Sequence, residues 1–192
     1  MRLLQERIRK EGKVLPGNII KIDGFLNHQV DISLMREIAR EFRRLFPQED
    51  ITKILTVEAS GIALGAITAL EFNVPLVFAK KAKSDNIEGG LFKSDIYSYT
   101  YKKKVTLLLS KQWLCENDNV LIVDDFLANG EALRGLIEIV TQSGASLAGV
   151  GVAVEKGFQQ GGAKLREQGV NLKSLAIVEE ATPEHIRFRD EE

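Results

Sequence analysis

Residues 120–133, VLIVDDFLANGEAL, constrain the fold of this chain more than any other stretch. Four apolar residues, Val120, Leu121, Ile122 and Val123, run straight into two adjacent carboxylates, Asp124 and Asp125. A short, continuous, β-branched run of this kind marks a strand buried on both faces of a parallel sheet. From Glu131 onward, Leu133, Leu136, Ile137 and Val140 recur at helical spacing, and Gly144 supplies a C-terminal stop. Another apolar run, residues 147–154, follows at once. The pattern is a strand-helix-strand unit, and ligands of such sheets bind beyond the C-terminal ends of the strands.

The turn between strand and helix is built for an anion. The first backbone N–H groups of a helix have no internal partners and carry the positive end of its dipole, so a phosphate is favoured there. Ala128, Asn129 and Gly130 keep the turn small enough for close approach by a ligand. Two carboxylates would repel a phosphate, so they face another part of the same molecule. Carboxylates accept strongly and vicinal ribose hydroxyls donate, which fits a sugar phosphate lying across the turn and the acids. A lone Asp-Asp pair would read more simply as a turn cap beside a solvated acid; the strand, spacing and helix around this one favour the ligand.

Composition narrows the function by exclusion. The 192 residues are 44% hydrophobic and 28% charged, as expected of one ordinary globular domain with a sizeable core. A formal net charge of -1 offers no electrostatic attraction to nucleic acid or anionic membranes. No apolar run reaches the length of a membrane span, and the opening MRLLQERIRK lacks the apolar centre of a signal peptide. A single cysteine, Cys115, excludes an internal disulfide and suits a reducing cytoplasm. The two histidines, His28 and His185, are far apart, which argues against a histidine-rich metal site or a Ser-His-Asp triad.

Along the chain, Leu3, Leu4 and Ile8 predict an amphipathic helix closed by Gly12, and residues 18–22 a short strand. Leu34, Ile38, Phe42 and Leu45 predict a longer helix ending before Pro47. Residues 51–57 and 74–79 read as strands around the loop Glu58-Ala59-Ser60-Gly61 and an alanine-rich helix reaching about Leu70. This is a second strand-helix-strand unit. Ser60-Gly61 therefore occupies the same anion-receptive geometry as the main motif. Lys80 and Lys81 follow the next strand at the same edge of the sheet, where a surface pair would otherwise be merely solvated. Residues 80–104 are polar, hold seven lysines and contain Gly89-Gly90. They read either as an irregular loop or, through the alternation of Tyr97, Tyr99 and Tyr101, partly as a hairpin.

The 120–133 segment resembles the signature of the type I phosphoribosyltransferases, which bind 5-phosphoribosyl 1-diphosphate. The usual turn of that family carries Thr-Gly; Ala128-Asn129-Gly130, written FLANG, is similar to the branch that acts on xanthine. GFLNHQVD, VEASGIALGA, VPLVFAKK and VAVEKGF match the same branch in order, so the resemblance spans nearly the whole chain. It implies an α/β architecture: a central, mainly parallel sheet flanked by helices, with a small hood from residues 1–48 plus C-terminal residues. The core would run over 50–180, and a flexible loop over 80–104 would close on the diphosphate. Asp124 and Asp125 would be the catalytic acids. Ala128, Asn129, Gly130, Glu131, Ala132, Ser60, Lys80 and Lys81 would hold the phosphoribosyl diphosphate.

Purine recognition is expected at the same sheet edge. A lysine at position 156 can donate to an exocyclic oxygen but cannot accept, which favours 6-oxo over 6-amino bases. Asn27 offers both a donor and an acceptor, and Phe158 is either a stacking ring or a core residue. The resemblance implies that Asn27 and Lys156 bind xanthine with Ile20 packing nearby, where the xanthine branch carries Leu. It also implies a homodimer and Mg2+ held mostly by substrate and water, as suits a hard ion, with no firmly assigned protein ligand. Two other readings fit parts of the pattern. A guanine/hypoxanthine enzyme would share the chemistry, and a non-catalytic regulator would sense the same donor. The regulator needs a basic DNA-binding module, for which the roughly neutral charge speaks poorly. A phospho-acceptor receiver domain would lack the turn glycine and the substrate loop.

Overall fold

The computed structural model describes residues 1–47, 50–81, 90–98, 103–183 and 185–189. Its centre is strand β7 (Asn119–Leu127), flanked in one six-stranded sheet by β3 (Lys53–Val57) and β8 (Ser146–Lys156). Beyond β3 lies β4 (Leu76–Ala79); beyond β8 lie β9 (Leu172–Ala181) and the short β10 (Ile186–Phe188). All neighbours are parallel except β10 against β9. The expected mainly parallel sheet is thus present, with its one antiparallel strand at the rim.

The connections place the ligand edge. β3 leads through α3 (Ser60–Phe72) outward to β4, whereas β7 leads through α4 (Glu131–Ser143) to β8 and then through α5 (Gly161–Glu167) to β9. The order therefore reverses between β3 and β7, and a crevice opens above the C-terminal ends of those two strands. Val120, Leu121, Ile122 and Val123 are fully buried. Each contributes about 1.5–3 kcal/mol by burial, enough to hold β7 in the middle of the sheet.

Alternate β7 side chains enter two separate apolar clusters. Leu121 and Val123 join α1 (Arg2–Glu11), α2 (Ile32–Leu45) and α3 on one face, while Val120 and Ile122 join α4 on the other. α2 starts at a side-chain cap, with Asp31 Oδ1 accepting from the Leu34 N–H at 3.1 Å. Phe42 of this helix and Phe46 at its C-terminal cap lie over Gly151 and Gly149, so residues assigned by sequence to a hood also pack directly on the sheet. A two-stranded ribbon, β1 (Lys13–Leu15) with β2 (Ile19–Lys21), completes the N-terminal part.

Sequence patterning and structure part company at two places. β7 does not stop at the acids but runs through them to Leu127, because Asp124, Phe126 and Leu127 keep pairing with β8. α3 starts at Ser60, two residues earlier than the loop reading implies. For residues 80–104 the structure selects the hairpin of the two readings: β5 (Leu91–Ser98) and β6 (Lys103–Ser110) pair antiparallel in full register. Residues 82–89 and 99–102, with Tyr99 and Tyr101, lie outside the described residues. β5 docks on α4, where Gly135 lets Ile96 and Leu107 approach and where Arg134 donates to the Asp95 carbonyl at 2.8 Å.

Gly149 shows how tightly α2 is seated. A Cβ there would lie 2.5 Å from the Phe46 ring and 2.8 Å from the Asn171 carbonyl oxygen, a backbone atom with nowhere to retreat. Gly149→Ala is expected to lower stability by about 1–3 kcal/mol, measured by chemical denaturation with the slope of the transition unchanged.

Candidate functional site

Three loops converge above the crevice. The first joins β3 to α3, and its Glu58–Ala59 peptide is cis. The second is the end of β7 and the turn into α4. The third follows β4, where the Lys81 N–H donates to Glu58 Oε1 at 2.6 Å and ties the loops together. α3 and α4 both begin without a side-chain cap, in contrast to α2. Their first N–H groups are left for a ligand, and the α4 start carries the left-handed Gly130, φ 83°, that a side chain would strain.

Asp124 and Asp125 sit between these helix starts, each only 5% exposed. Ser60 Oγ donates to Asp125 Oδ1 at 3.0 Å, so the structure joins the two sequence-predicted anion loops through one hydrogen bond. The Asp125 N–H donates to Asp124 Oδ1 at 3.0 Å. Burial, and then the neighbouring Asp125 carboxylate, push the Asp124 carboxyl well above the usual carboxylate range; the Lys81 charge opposes them. Asp118, at the opposite end of the same strand, makes the contrast plain. Burial pushes it up as well, but Lys53, at 2.8 Å, and the Cys115 N–H hold it below its ordinary value. The acid at the structural end of the sheet is satisfied, whereas the pair at the ligand end is held ready for donors.

The remaining predicted residues divide by location. Lys81, Ala128, Asn129, Gly130, Glu131 and Ala132 line one cavity of about 180 Å³, together with Phe126. Glu131 turns its carboxylate toward the hairpin, accepting from the Tyr97 N–H at 3.3 Å and from Arg134 at 3.2 Å. Lys80 is placed differently: its backbone bridges Leu108, and its side chain lines a separate cavity beside Phe78 and Trp113. Among the described residues, no three His, Cys, Asp or Glu side chains gather as metal ligands.

At the base end, the half-buried Lys156 ends β8, and burial lowers the pKa of its ammonium. Its Nζ lies 5.7 Å from the Phe126 ring and donates to the Asn18 carbonyl at 3.4 Å. Asn18, with φ 58°, and Phe126 were not singled out in the sequence; the aromatic directly after the acids was the available signal for the latter. Ile20 is buried in the cluster against which Phe126 and Phe158 pack. Asn27 is exposed on the turn between Leu26 and Val30.

Residues 23–176 match the family of the phosphoribosyl transferase domain. A xanthine phosphoribosyltransferase of Lachnoclostridium phytofermentans is 58% identical over 184 residues, which cover 96% of this chain and 95% of that protein. A xanthine phosphoribosyltransferase of Ligilactobacillus salivarius is 47% identical over 192 residues, the whole of both chains. Among solved structures, the fold is similar to that of the Giardia lamblia APRTase complexed with 9-deazaadenine. The TM-score is 0.77 at 24% identity, covering 90% of this chain and 96% of that one. The adenine phosphoribosyltransferase of Thermoanaerobacter pseudethanolicus gives 0.74 at 23% identity, covering 90% and 98%.

The raised pKa of Asp124 has a stability consequence of definite sign. The folded chain binds this proton more tightly than the unfolded chain does, so stability falls as pH rises from the ordinary carboxylate range through the raised value. Asp124→Asn is expected to raise Tm at neutral pH. The gain should shrink as pH falls into the ordinary carboxylate range. Calorimetry in the two pH ranges checks this; an equal gain in both would contradict it.

Proposed function

Because this chain belongs to the phosphoribosyl transferase domain family, we propose that it transfers the phosphoribosyl group of 5-phospho-α-D-ribose 1-diphosphate to N9 of xanthine. The products are xanthosine monophosphate and diphosphate, and the role is purine salvage. The observation that carries the reading is the meeting of two uncapped helix starts over a buried acid pair, bridged by Ser60 to Asp125. The two near-full-length relatives bearing the xanthine name support the choice of base.

The 5′-phosphate sits on the α4 start, where Ala128, Asn129, Gly130, Glu131 and Ala132 present backbone N–H groups. The ribose hydroxyls donate to Asp124 and Asp125, since carboxylate oxygens are strong acceptors. The diphosphate lies toward Ser60, the α3 start and Lys81. It leaves C1 with the C–O electron pair, while N9 attacks the opposite face and gives up its proton. No protein nucleophile is required; positioning and fixed dipoles lower the barrier. Mg2+ carried in with the donor would neutralise charge on the departing diphosphate, and Asp124 and Asp125 are the carboxylates that would face it. Two carboxylates are enough for an ion that takes most of its ligands from substrate oxygens and water.

Lys156 donates to the 6-oxo group of the base and Phe126 underlies it, with Asn27 reading the 2-oxo edge and Ile20 closing the apolar side. Lys80 points away from the cavity that holds Lys81, so Lys81 carries the cationic role beside the diphosphate. A loop within residues 80–104 would close on the diphosphate and exclude water from the reacting sugar. The same reading includes a homodimer and a cytoplasmic location.

Asp125→Asn, if folded, is expected to lose at least about 100-fold in kcat/KM; unchanged turnover would remove the acid pair from the mechanism. Lys156→Ala should weaken xanthine use far more than donor binding. A product assay with the donor, Mg2+ and xanthine, guanine, hypoxanthine, adenine and uracil separately ranks the acceptors. Preference for guanine or hypoxanthine would reassign the enzyme within its family, and no product from any base would favour the sensing regulator.

A further inference from the structure

Behind the phosphate turn lies a buried ion pair that the chemistry above does not use. Glu155, 2% exposed, accepts from Arg166 Nη1 at 2.8 Å and Nη2 at 2.7 Å, and from the Ser174 hydroxyl. Burial pushes the Glu155 carboxyl up, but the Arg166 and Ser174 hydrogen bonds more than offset it and leave the carboxyl below its usual range. A buried ion pair is a weak device for stability, since apolar packing of the same volume does as well; its strength is fixed geometry. What it fixes here is α5. Arg166 belongs to this helix, and Gly162 sits so close to the carboxylate that a Cβ would lie 2.0 Å from Glu155 Oε1.

One residue earlier, Gly161 is wedged under the turn that starts α4. A Cβ on Gly161 would fall 2.3 Å from the Ala128 carbonyl oxygen and 2.7 Å from the Gly130 nitrogen. Reciprocally, a Cβ on Gly130 would lie 3.3 Å from the Gly161 Cα. The backbones of α5 and the turn are therefore in direct contact, and any shift of one moves the other. We propose that Glu155, Arg166 and Ser174 form a clamp that positions the phosphate-binding turn 128–131 through the Gly161–Gly162 wedge. These three are positioning residues for the ribose 5-phosphate end, and the proposal rests on the donor-binding part of the function proposed above.

The test is the affinity of the folded full chain for ribose 5-phosphate, by calorimetry, alongside KM for donor and for xanthine. Arg166→Lys keeps the charge but loses the two-pronged grip. It is expected to weaken ribose 5-phosphate and raise donor KM roughly tenfold, with xanthine KM changed less than about twofold. Parallel changes in both substrates, or none, would overturn the clamp. Should Arg166→Lys fail to fold, Ser174→Ala removes one arm and is judged by the same donor-selective criterion, at a few-fold effect. Wild-type binding of ribose 5-phosphate without turnover on any base would sink the proposed function and leave this comparison decisive. Failure of the wild type to bind ribose 5-phosphate would overturn both.

Discussion

Strand β7 is buried on both faces yet carries two carboxylates through its last turn of pairing, and most of the molecule is arranged around that conflict. Its apolar half, Val120 to Val123, anchors the sheet by entering both clusters at once. Its polar half holds Asp124 and Asp125 where water is nearly absent, which is unfavourable for charge. The energy gained in the first half sustains the cost of the second. Ser60, the Asp125 N–H and the charge of Lys81 compensate it only in part. An acid pair left short of donors is what a polyhydroxyl ligand needs, so the strain of the site and its affinity have one origin.

The switch in strand order turns this single strand into a pocket. With β3 leading one way and β7 the other, the starts of α3 and α4 face each other across the crevice instead of lying side by side. Close approach at that point depends on absent side chains. A Cβ on Gly61 would strike Thr56 Oγ1 at 2.0 Å, and Gly161 must pass against the turn backbone. At Gly61 and Gly161 glycine is dictated by packing, and at Gly130 by φ as well.

Much of the site is legible in the sequence. Periodicity marked β7 and α4, and Gly144, with φ 76°, stopped α4 where expected. Ser60 and the 128–130 turn were identified as anion-receptive because a small-residue turn between strand and helix has few other uses. Legibility failed where partners lie far apart in sequence. α5 is seven residues with too few apolar positions to show a period, and β10 is three residues paired only through β9. The continuation of β7 through its acids escaped notice because charge is expected to end a buried strand, whereas here β8 pairing carries it on. Lys80 and Lys81 look alike as neighbours in sequence, yet strand alternation sends them to different cavities.

By itself, the sequence determined the α/β class, the sugar-phosphate cradle and the family resemblance, because these depend on local period, turn chemistry and residue order. Only the tertiary structure decided which charges stay bare. Asp118 and Asp124 are equivalent as letters, but Lys53 satisfies one, while the other meets a second acid. It also decided that Glu155, Arg166 and Ser174 act as a unit beneath the phosphate turn. Electrostatic environment and backbone contact are properties of neighbours in space, and those neighbours exist only once the sheet has closed around β7.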